Sequence, residues 1–396
     1  MSKRIIVIGA GFAGMWSALS AARLLDQAGR TDVEVTVIAQ EPELHVRPRL
    51  YEQNPGGMKA PLQEIFAAAG VKFIQGEVEH IDVVEQKVST SQHSISYDRL
   101  VLAAGSRLHC PPIPGLHEHA FNVDQVADAA KLEAHIHGLS QRPESARRNT
   151  VVVAGAGFTG IETAAEMPAR LRAVLGEDAA VSVIMVERNA ELGPDLGAGP
   201  RPVITQALTD LGVTWRLGVG VAAVDAQGVT LENGQRIEAD TVIWTAGARA
   251  SGLTAHIPAE RDSFNRLHVD RNLKVKGVEA VFAAGDCAYA ATDDEGNYAM
   301  MSCQHAMNLG RSAGHNVAAD LLGETPIPYS QPKYVTCLDL GPWGAVYTEG
   351  WNRQVMLAGA EAKALKTKIN TEWIYPPGGD RAEIFTLADP RRIVVA

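Results

Sequence analysis

Short, continuous apolar runs that end in glycine recur along this chain. Ile5-Ile6-Val7-Ile8 leads into Gly9-Ala10-Gly11-Phe12-Ala13-Gly14, and Val151-Val152-Val153 leads into Gly155-Ala156-Gly157-Phe158-Thr159-Gly160. An apolar run without polar alternation suits a parallel strand covered on both faces. After the first glycine turn, residues 15–27 are rich in Ala and Leu and predict a helix, and residues 33–38 predict the next strand. After the second turn, residues 161–175 and 181–186 repeat that order. Strand, tight turn, helix and strand make a β-α-β unit, and the chain carries two.

Between the units, residues 72–98 hold alternating stretches such as Val78-Glu79-His80-Ile81 and predict a small antiparallel sheet. Residues 221–239 carry a hairpin signal at Asn233-Gly234. Three further strand-and-glycine pieces follow the same logic: Leu100-Val101-Leu102-Ala103-Ala104-Gly105, Val242-Ile243-Trp244-Thr245-Ala246-Gly247 and Val281-Phe282-Ala283-Ala284-Gly285-Asp286. Residues 299–322 predict a helix. From about Lys333 the composition turns toward Tyr, Trp and Gly, which predicts a smaller C-terminal α+β region.

Composition narrows the function classes. The 396 residues carry 36 Lys plus Arg against 46 Asp plus Glu, a formal net charge of −10. So acidic a chain is a poor general nucleic-acid binder, because neutralising phosphates needs a basic surface. No apolar run reaches ~18 residues, so no spanning helix is expected. Met1-Ser2-Lys3-Arg4 passes straight into a strand-like run, so no signal peptide is expected. Residues 387–396 hold too few apolar positions for a helix lying in a membrane interface. A cytoplasmic protein is expected, with peripheral membrane contact left open. The four cysteines, Cys110, Cys287, Cys303 and Cys337, form no C-x-x-C pair. Neither a metal-ligand pattern nor the spacing of a catalytic triad stands out, so no metal is expected.

The two glycine turns carry the chemistry. In G-x-G-x-x-G the first glycine makes the turn, the second lets the backbone approach a pyrophosphate, and the third lets helix and strand pack closely. The phosphates rest on the free N–H groups of the helix N-terminus. The alternative is a glycine turn that serves packing alone. The candidates are Gly9, Gly11 and Gly14 with Phe12 and Ala13, and Gly155, Gly157 and Gly160 with Phe158 and Thr159. An acidic residue stands 32 positions beyond each first glycine: Glu41, which competes with Gln40, and Glu187. A carboxylate at Glu187 accepts both ribose hydroxyls of an unphosphorylated adenosine and repels a 2′-phosphate, which favours NADH over NADPH. The neighbouring Arg188 softens that preference.

These motifs resemble the two-dinucleotide flavoprotein superfamily that includes the glutathione-reductase-like enzymes. The resemblance implies an α/β fold of two Rossmann-like dinucleotide-binding domains, the second inserted in the first. It implies non-covalent FAD at the first fingerprint and the nicotinamide nucleotide at the second. The implied limits are 1–115 and 265–325 for the FAD domain, 116–264 for the NAD(H) domain, and 326–396 for a C-terminal domain facing the acceptor or a dimer partner. LVLAAGS at 100–106 and AVFAAGDCA at 280–288 resemble FAD-contacting segments, which brings in Ala104, Gly105, Gly285 and Asp286. Residues 15–60 hold no cysteine, so the dithiol relay of the disulfide reductases is not expected.

A closer resemblance is to type II NADH dehydrogenases, the single-subunit NADH:quinone oxidoreductases. VVVAGAGFTGIETAAEM at 151–167, TVIWTAGARAS at 241–251 (with Gly247) and AGDCA at 284–288 carry it. SCQHAMNLG at 302–310 resembles the quinone-side pattern Ala-Gln-x-Ala-x-Gln; Gln304 and Ala306 match, while Cys303 and Asn308 depart. The implied chemistry is hydride transfer from NADH to flavin N5, then passage of two electrons to a quinone or other small acceptor. By that resemblance Glu162 faces the reacting rings, and Gln304 and His305 border the flavin or acceptor. Arg47 lies against the adenine or pyrophosphate of FAD. A carboxylate at a helix N-terminus is also simply stabilising, Glu166 shares the helix face of Glu162, and Cys287 reads as a buried filler. Trp343, Tyr347, Trp351, Trp373 and Tyr375 read first as a small core. IAQEPELHVRPRLYE at 38–52 resembles oxygenase-coupled ferredoxin reductases, so an electron-carrier protein is the alternative partner. A redox-sensing or interaction protein with little turnover is the non-enzyme alternative. Either a monomer or a homodimer is compatible.

Overall fold

A computed structural model describes residues 3–392. The four residues 393–396 of the apolar C-terminal run lie outside the described residues, as do Met1 and Ser2.

Two parallel sheets form the frame. The first runs in the order Val281–Ala283, Arg99–Leu102, Lys3–Ile8, Val33–Ala39, Lys72–Gln75. The second runs Val213–Leu217, Ser182–Glu187, Thr150–Ala154, Thr241–Trp244. In their central strands Ile5–Ile8 and Thr150–Ala154 are buried without a break, as continuous Val and Ile runs require. Val281–Ala283 returns to the first sheet after the whole second sheet has been formed, and this places the second unit within the first. An antiparallel two-stranded ribbon, Ser106–Leu108 with Ala248–Ala250, links the two sheets.

The glycine helices start earlier than the apolar pattern predicts. They span Phe12–Gln27 and Phe158–Leu175, each beginning directly after the middle glycine of its turn. The first helix packs along Cys303–Leu322, where an ideal Cβ on Gly310 would lie 2.5 Å from Ala13 O and one on Gly314 2.0 Å from Ser17 O. That closeness leaves room only for glycine. The long helix starts at Cys303 rather than at 299, because Ser302 caps it by accepting from the His305 N–H.

Residues 72–98 split between two sheets, which corrects the expected single antiparallel sheet. Lys72–Gln75 is the parallel edge strand of the first sheet, and only Val78–Asp82, Lys87–Thr90 and Ser94–Ser96 form the antiparallel meander. A second meander comprises Val221–Asp225, Gly228–Leu231 and Arg236–Glu238, with Gly234 at φ +83° in the last turn. The C-terminal region is an antiparallel sheet of Val335–Asp339, Ala345–Glu349 and Gln354–Gly359, followed by helices Ala360–Lys368 and Arg381–Leu387.

Candidate active site

The two glycine turns are built alike. Gly9 (φ +105°) and Gly155 (φ +111°) adopt backbone conformations that other residues rarely reach. An ideal Cβ on Gly9 would lie 2.4 Å from Ala103 O, and one on Gly14 1.9 Å from Gly9 O. Thr245 Oγ1, at 2.8 Å, closes Gly155, and Gly155 O, at 2.0 Å, closes Gly160. The middle glycines differ: a Cβ on Gly11 or Gly157 would meet no protein atom within 4 Å. Packing therefore explains the outer glycines and leaves the middle ones unexplained, whereas the close approach of a diphosphate explains them. Neither helix has a side-chain cap, so its first-turn N–H groups are available to an anion. Both cradles fit a dinucleotide. Phe12 and Phe158 are half-buried on the first turns, Ala13 is buried and Thr159 is exposed.

The acidic residues are not equivalent. Gly155 N donates to Val186 O, so Glu187 follows directly at the strand end. Gly9 N donates to Ile38 O, and there Ala39 follows. Ala39 is thus the counterpart of Glu187, while Gln40 and Glu41 lie past the strand and are exposed. The equal spacing along the sequence hides a helix that is two residues shorter in the first unit, 16 residues in Phe12–Gln27 against 18 in Phe158–Leu175. Glu187 is 8% exposed; one oxygen accepts from Ala156 N at 2.8 Å, the other from Asn189 N at 2.8 Å and Asn189 Nδ2 at 2.7 Å. It braces the glycine loop from beneath.

Around the first turn, Asp286 accepts from Ser106 Oγ at 2.6 Å, with Arg47 Nη1 at 4.0 Å. Arg47 is held by Asp124 through Nη2 at 2.5 Å and donates to Ser106 Oγ at 3.3 Å. Gly285 (φ +62°) lies against the first glycine helix, where a Cβ would come within 2.8 Å of Ala13 Cβ. Gly105 (φ +67°) lies beside Arg47, and half-buried Ala104 precedes it. Arg47, Gly105, Ser106, Gly285 and Asp286 therefore share one wall. Gly247 (φ +89°) lies apart, accepting from His109 N at 2.6 Å.

Glu162 sits elsewhere, inside a buried charge network that the sequence did not announce. Lys366 Nζ donates to Glu162 Oε1 at 2.8 Å and to Cys337 O at 2.9 Å, and Asp339 N donates to the same Glu162 oxygen at 3.1 Å. Lys363 pairs with Asp339 at 2.6 Å and approaches Glu166 at 3.8 Å. Tyr51 Oη donates to Asp339 at 3.2 Å. Burial pushes the Glu162 carboxyl above the usual carboxylate range, with Lys366 opposing the shift. Burial raises Glu166 as well.

His305 and Gln304 occupy the first turn of Cys303–Leu322, both buried. His305 Nδ1 lies 3.0 Å from Ser302 Oγ, while its Nε2 has no hydrogen-bond partner among the described residues. Burial, with Arg353 and Arg266 nearby, holds this imidazole down at about 3, so it is neutral. Its ring lies 5.1 Å from Tyr334 and 6.1 Å from Trp351. Gln304 bridges at 3.5 Å to Val335 O and to Gln331.

Residues 3–310 match the pattern of the pyridine nucleotide-disulphide oxidoreductases. This chain belongs to that family. An NADH dehydrogenase-like protein of Mycobacterium tuberculosis is 48% identical over 394 residues, 98% of each chain. A type II NADH:quinone oxidoreductase of Staphylococcus epidermidis is 28% identical, over 95% of this chain and 96% of the other. The sulfide:quinone oxidoreductase of Aquifex aeolicus shares the fold at a TM-score of 0.79 and 18% identity, covering 96% and 92% of the two chains.

Membership makes this pyridine nucleotide-disulphide oxidoreductase homologue an oxidoreductase with two Rossmann-like domains, yet its cysteines are all free. Cys287 donates to Gly105 O at 3.4 Å, and burial raises its thiol to about 12. Burial also lifts Cys303 and Cys337 to about 11, so none of the three is poised as a thiolate. Glu41, Glu43 and His45 do come together, with ligand atoms within 4.8 Å of one another, a grouping not foreseen from spacing. Lys59 already supplies both carboxylates with a cation, at 3.4 and 2.8 Å.

Proposed function

We propose that this chain is an FAD-dependent NADH dehydrogenase that delivers two electrons to a quinone-type acceptor. The observation that carries this reading is the pair of glycine cradles whose middle glycines face no protein atom, in a chain of this family. The relatives' printed activities support NADH as donor and quinone as acceptor.

FAD is assigned to Gly9, Gly11, Phe12, Ala13, Gly14, Gln40 or Glu41, Arg47, Ala104, Gly105, Gly285 and Asp286, within 1–115 and 265–325. NADH is assigned to Gly155, Gly157, Phe158, Thr159, Gly160, Glu187 and Gly247, within 116–264. Residues 326–396 then face the acceptor or a dimer partner. When bound, FAD supplies the two-electron carrier between donor and acceptor.

The chain's own residues orient the donor and manage protons. Glu187 is placed to read the adenosine ribose while bracing Ala156. NADH supplies two electrons and one proton as hydride, so reducing a quinone to quinol needs one further proton. Glu162 rests as a carboxylate paired with Lys366 Nζ, and, with burial raising its carboxyl, it relays a proton toward the acceptor. Gln304 and neutral His305 border the flavin or the acceptor as hydrogen-bonding groups. No described helix is long and apolar enough to cross a membrane.

The test is an anaerobic half-reaction. NADH bleaches the flavin, and the reduced enzyme is then mixed with menadione, a ferredoxin or oxygen. Menadione is expected to reoxidise it fastest. Rapid reoxidation by ferredoxin alone overturns the quinone reading. Bleaching without rapid reoxidation by any acceptor points to a sensing protein instead.

A further inference from the structure

Arg353 is anomalous in three independent ways. Its backbone is left-handed at φ +56°, a strained conformation for a non-glycine residue. Its side chain is 6% exposed, yet no carboxylate of the described residues pairs with it. Its Nη1 has no hydrogen-bond partner among them, although Nη2 donates to Asp195 O at 3.0 Å. A buried guanidinium without an anion is costly, because the desolvation of the charge is not compensated.

Its position says which anion is suited to it. The guanidinium carbon lies 5.8 Å from the ring of Phe158, the first residue of the second glycine helix. It also lies 4.7 Å over Tyr334. The loop that carries Asp195 is tied to the same glycine turn, since Gly193 N donates to Ala156 O at 3.0 Å. This loop closes on the arginine's backbone: a Cβ on Gly199 would lie 2.5 Å from Arg353 O. Trp351 stacks on Tyr334 at 4.5 Å, and its indole Nε1 has no partner either. An uncapped helix N-terminus, an open middle glycine and a buried guanidinium without a carboxylate thus lie together at Phe158. A positive helix end beside a buried positive side chain is stable only around a negative group.

We propose that Arg353, delivered by the C-terminal hairpin, clamps the pyrophosphate of the pyridine nucleotide held by the second glycine turn. Arg353 is a binding residue for the donor. The proposal rests on the assignment of NADH to that turn. It makes the C-terminal region part of the nucleotide site, not only of the acceptor side.

The test titrates holoenzyme calorimetrically with two probes. ADP-ribose carries the adenosine and pyrophosphate of NADH, and AMP lacks the second phosphate. Arg353→Gln is expected to weaken ADP-ribose by about 10- to 100-fold, the range of a charge-assisted hydrogen bond, and AMP by less than about 3-fold. Arg353→Lys is expected to fall between. Equal losses for both probes, or no loss for ADP-ribose, overturn the proposal. Hydrogen exchange on the wild-type holoenzyme decides the matter if the variants do not fold. ADP-ribose, but not AMP, is expected to slow exchange over residues 350–356, and an unprotected segment overturns the clamp. Gly157→Val separates the two levels. If it abolishes ADP-ribose binding while Arg353→Gln does not, only the clamp fails. If Gly157→Val leaves binding intact, or wild-type enzyme does not bind ADP-ribose, the assignment of the turn fails and the clamp with it.

Discussion

Replacing Lys366 by Met tests the buried charge network with a worked magnitude. Methionine keeps the length and apolar stem of lysine and removes only the ammonium. Both side chains of the Glu162–Lys366 pair are 9% exposed, so water does not replace the lost partner. Stranding a buried carboxylate in this way costs about 3–5 kcal/mol. Glu162 has an escape, which is to take up a proton. From the ordinary carboxyl value of 4.5, forced protonation at pH 7 costs about 3.4 kcal/mol at 1.36 kcal/mol per unit. Asp339 N still donates to Glu162 Oε1 at 3.1 Å, which favours the lower end of the range. The expected destabilisation is therefore about 3 kcal/mol at pH 7.

The same reasoning fixes the pH dependence. In the variant, the folded-state value of Glu162 stands well above its unfolded value. Stability from that group is fully present below the unfolded value and is lost as pH rises toward the folded one. The penalty of Lys366→Met is expected to shrink by about 1.4 kcal/mol per unit between pH 7 and 5. Unfolding of holoenzyme, followed at pH 5, 6 and 7 for wild type, Lys366→Met, Glu162→Gln and the double variant, measures it. Comparison within one cycle avoids assuming two-state behaviour across a chain with several regions and a cofactor. Glu162→Gln is expected to rescue much of the loss in the double variant. A penalty that does not change with pH, or single effects that simply add, would refute the buried-pair argument.

The remaining predictions use the cradles and the buried imidazole. Gly11→Val and Gly157→Val place a side chain in open space, so folding is expected to survive while flavin content is lost in the first and NADH affinity in the second; absorbance spectra and nucleotide titration read these. Gly14→Ala, whose Cβ would lie 1.9 Å from Gly9 O, is expected instead to reduce soluble folded protein. Glu187→Ala is expected to weaken NADH by about 10-fold, a charge-assisted hydrogen bond's worth, and to narrow the preference over NADPH; unchanged relative kcat/KM values for the two nucleotides would remove Glu187 from ribose recognition. For His305, held at about 3 against 6.5 when unfolded, stability is present above pH 6.5 and lost as pH falls toward 3. His305→Gln is expected to flatten the acid side of a plot of Tm against pH, and an unaltered slope would place that titration in other groups.

The parts of this molecule that were legible in sequence are the local ones. Ile5–Ile8 and Val151–Val153 announce central strands because burial on both faces leaves no alternation. The glycine turns announce themselves because backbone geometry permits no other residue at Gly9 or Gly14. The helix starts were misjudged by three residues because Phe12 and Phe158, inside the motif, already belong to the helix. Lys72–Gln75 was misassigned because an edge strand exposed at both ends carries no continuous apolar run. Counting to Glu41 failed for a different reason. Spacing along a chain includes the glycine helix, which is two residues shorter in the first unit, whereas strand register fixes which residue stands at the strand end.

What stayed illegible is what the C-terminal region does, and the cause is distance along the chain. Lys366 and Glu162 are 204 positions apart, and no local pattern marks either as the other's partner. In space the region straddles both units. Its hairpin closes on the second glycine helix, with Gly341 so near that a Cβ would lie 2.5 Å from Ala165 O. Its tail is held to the first pair of helices, where Arg311 donates to Leu387 O at 2.7 Å and Arg23 pairs with Asp389 at 2.6 Å. A region anchored to both units at once fixes the distance between their two cradles. Hydride transfer needs its reacting atoms near van der Waals contact, about 3–3.5 Å, so the spacing of the cradles limits the reaction. Strain or loosening in this C-terminal region therefore bears on turnover even at residues that touch neither nucleotide.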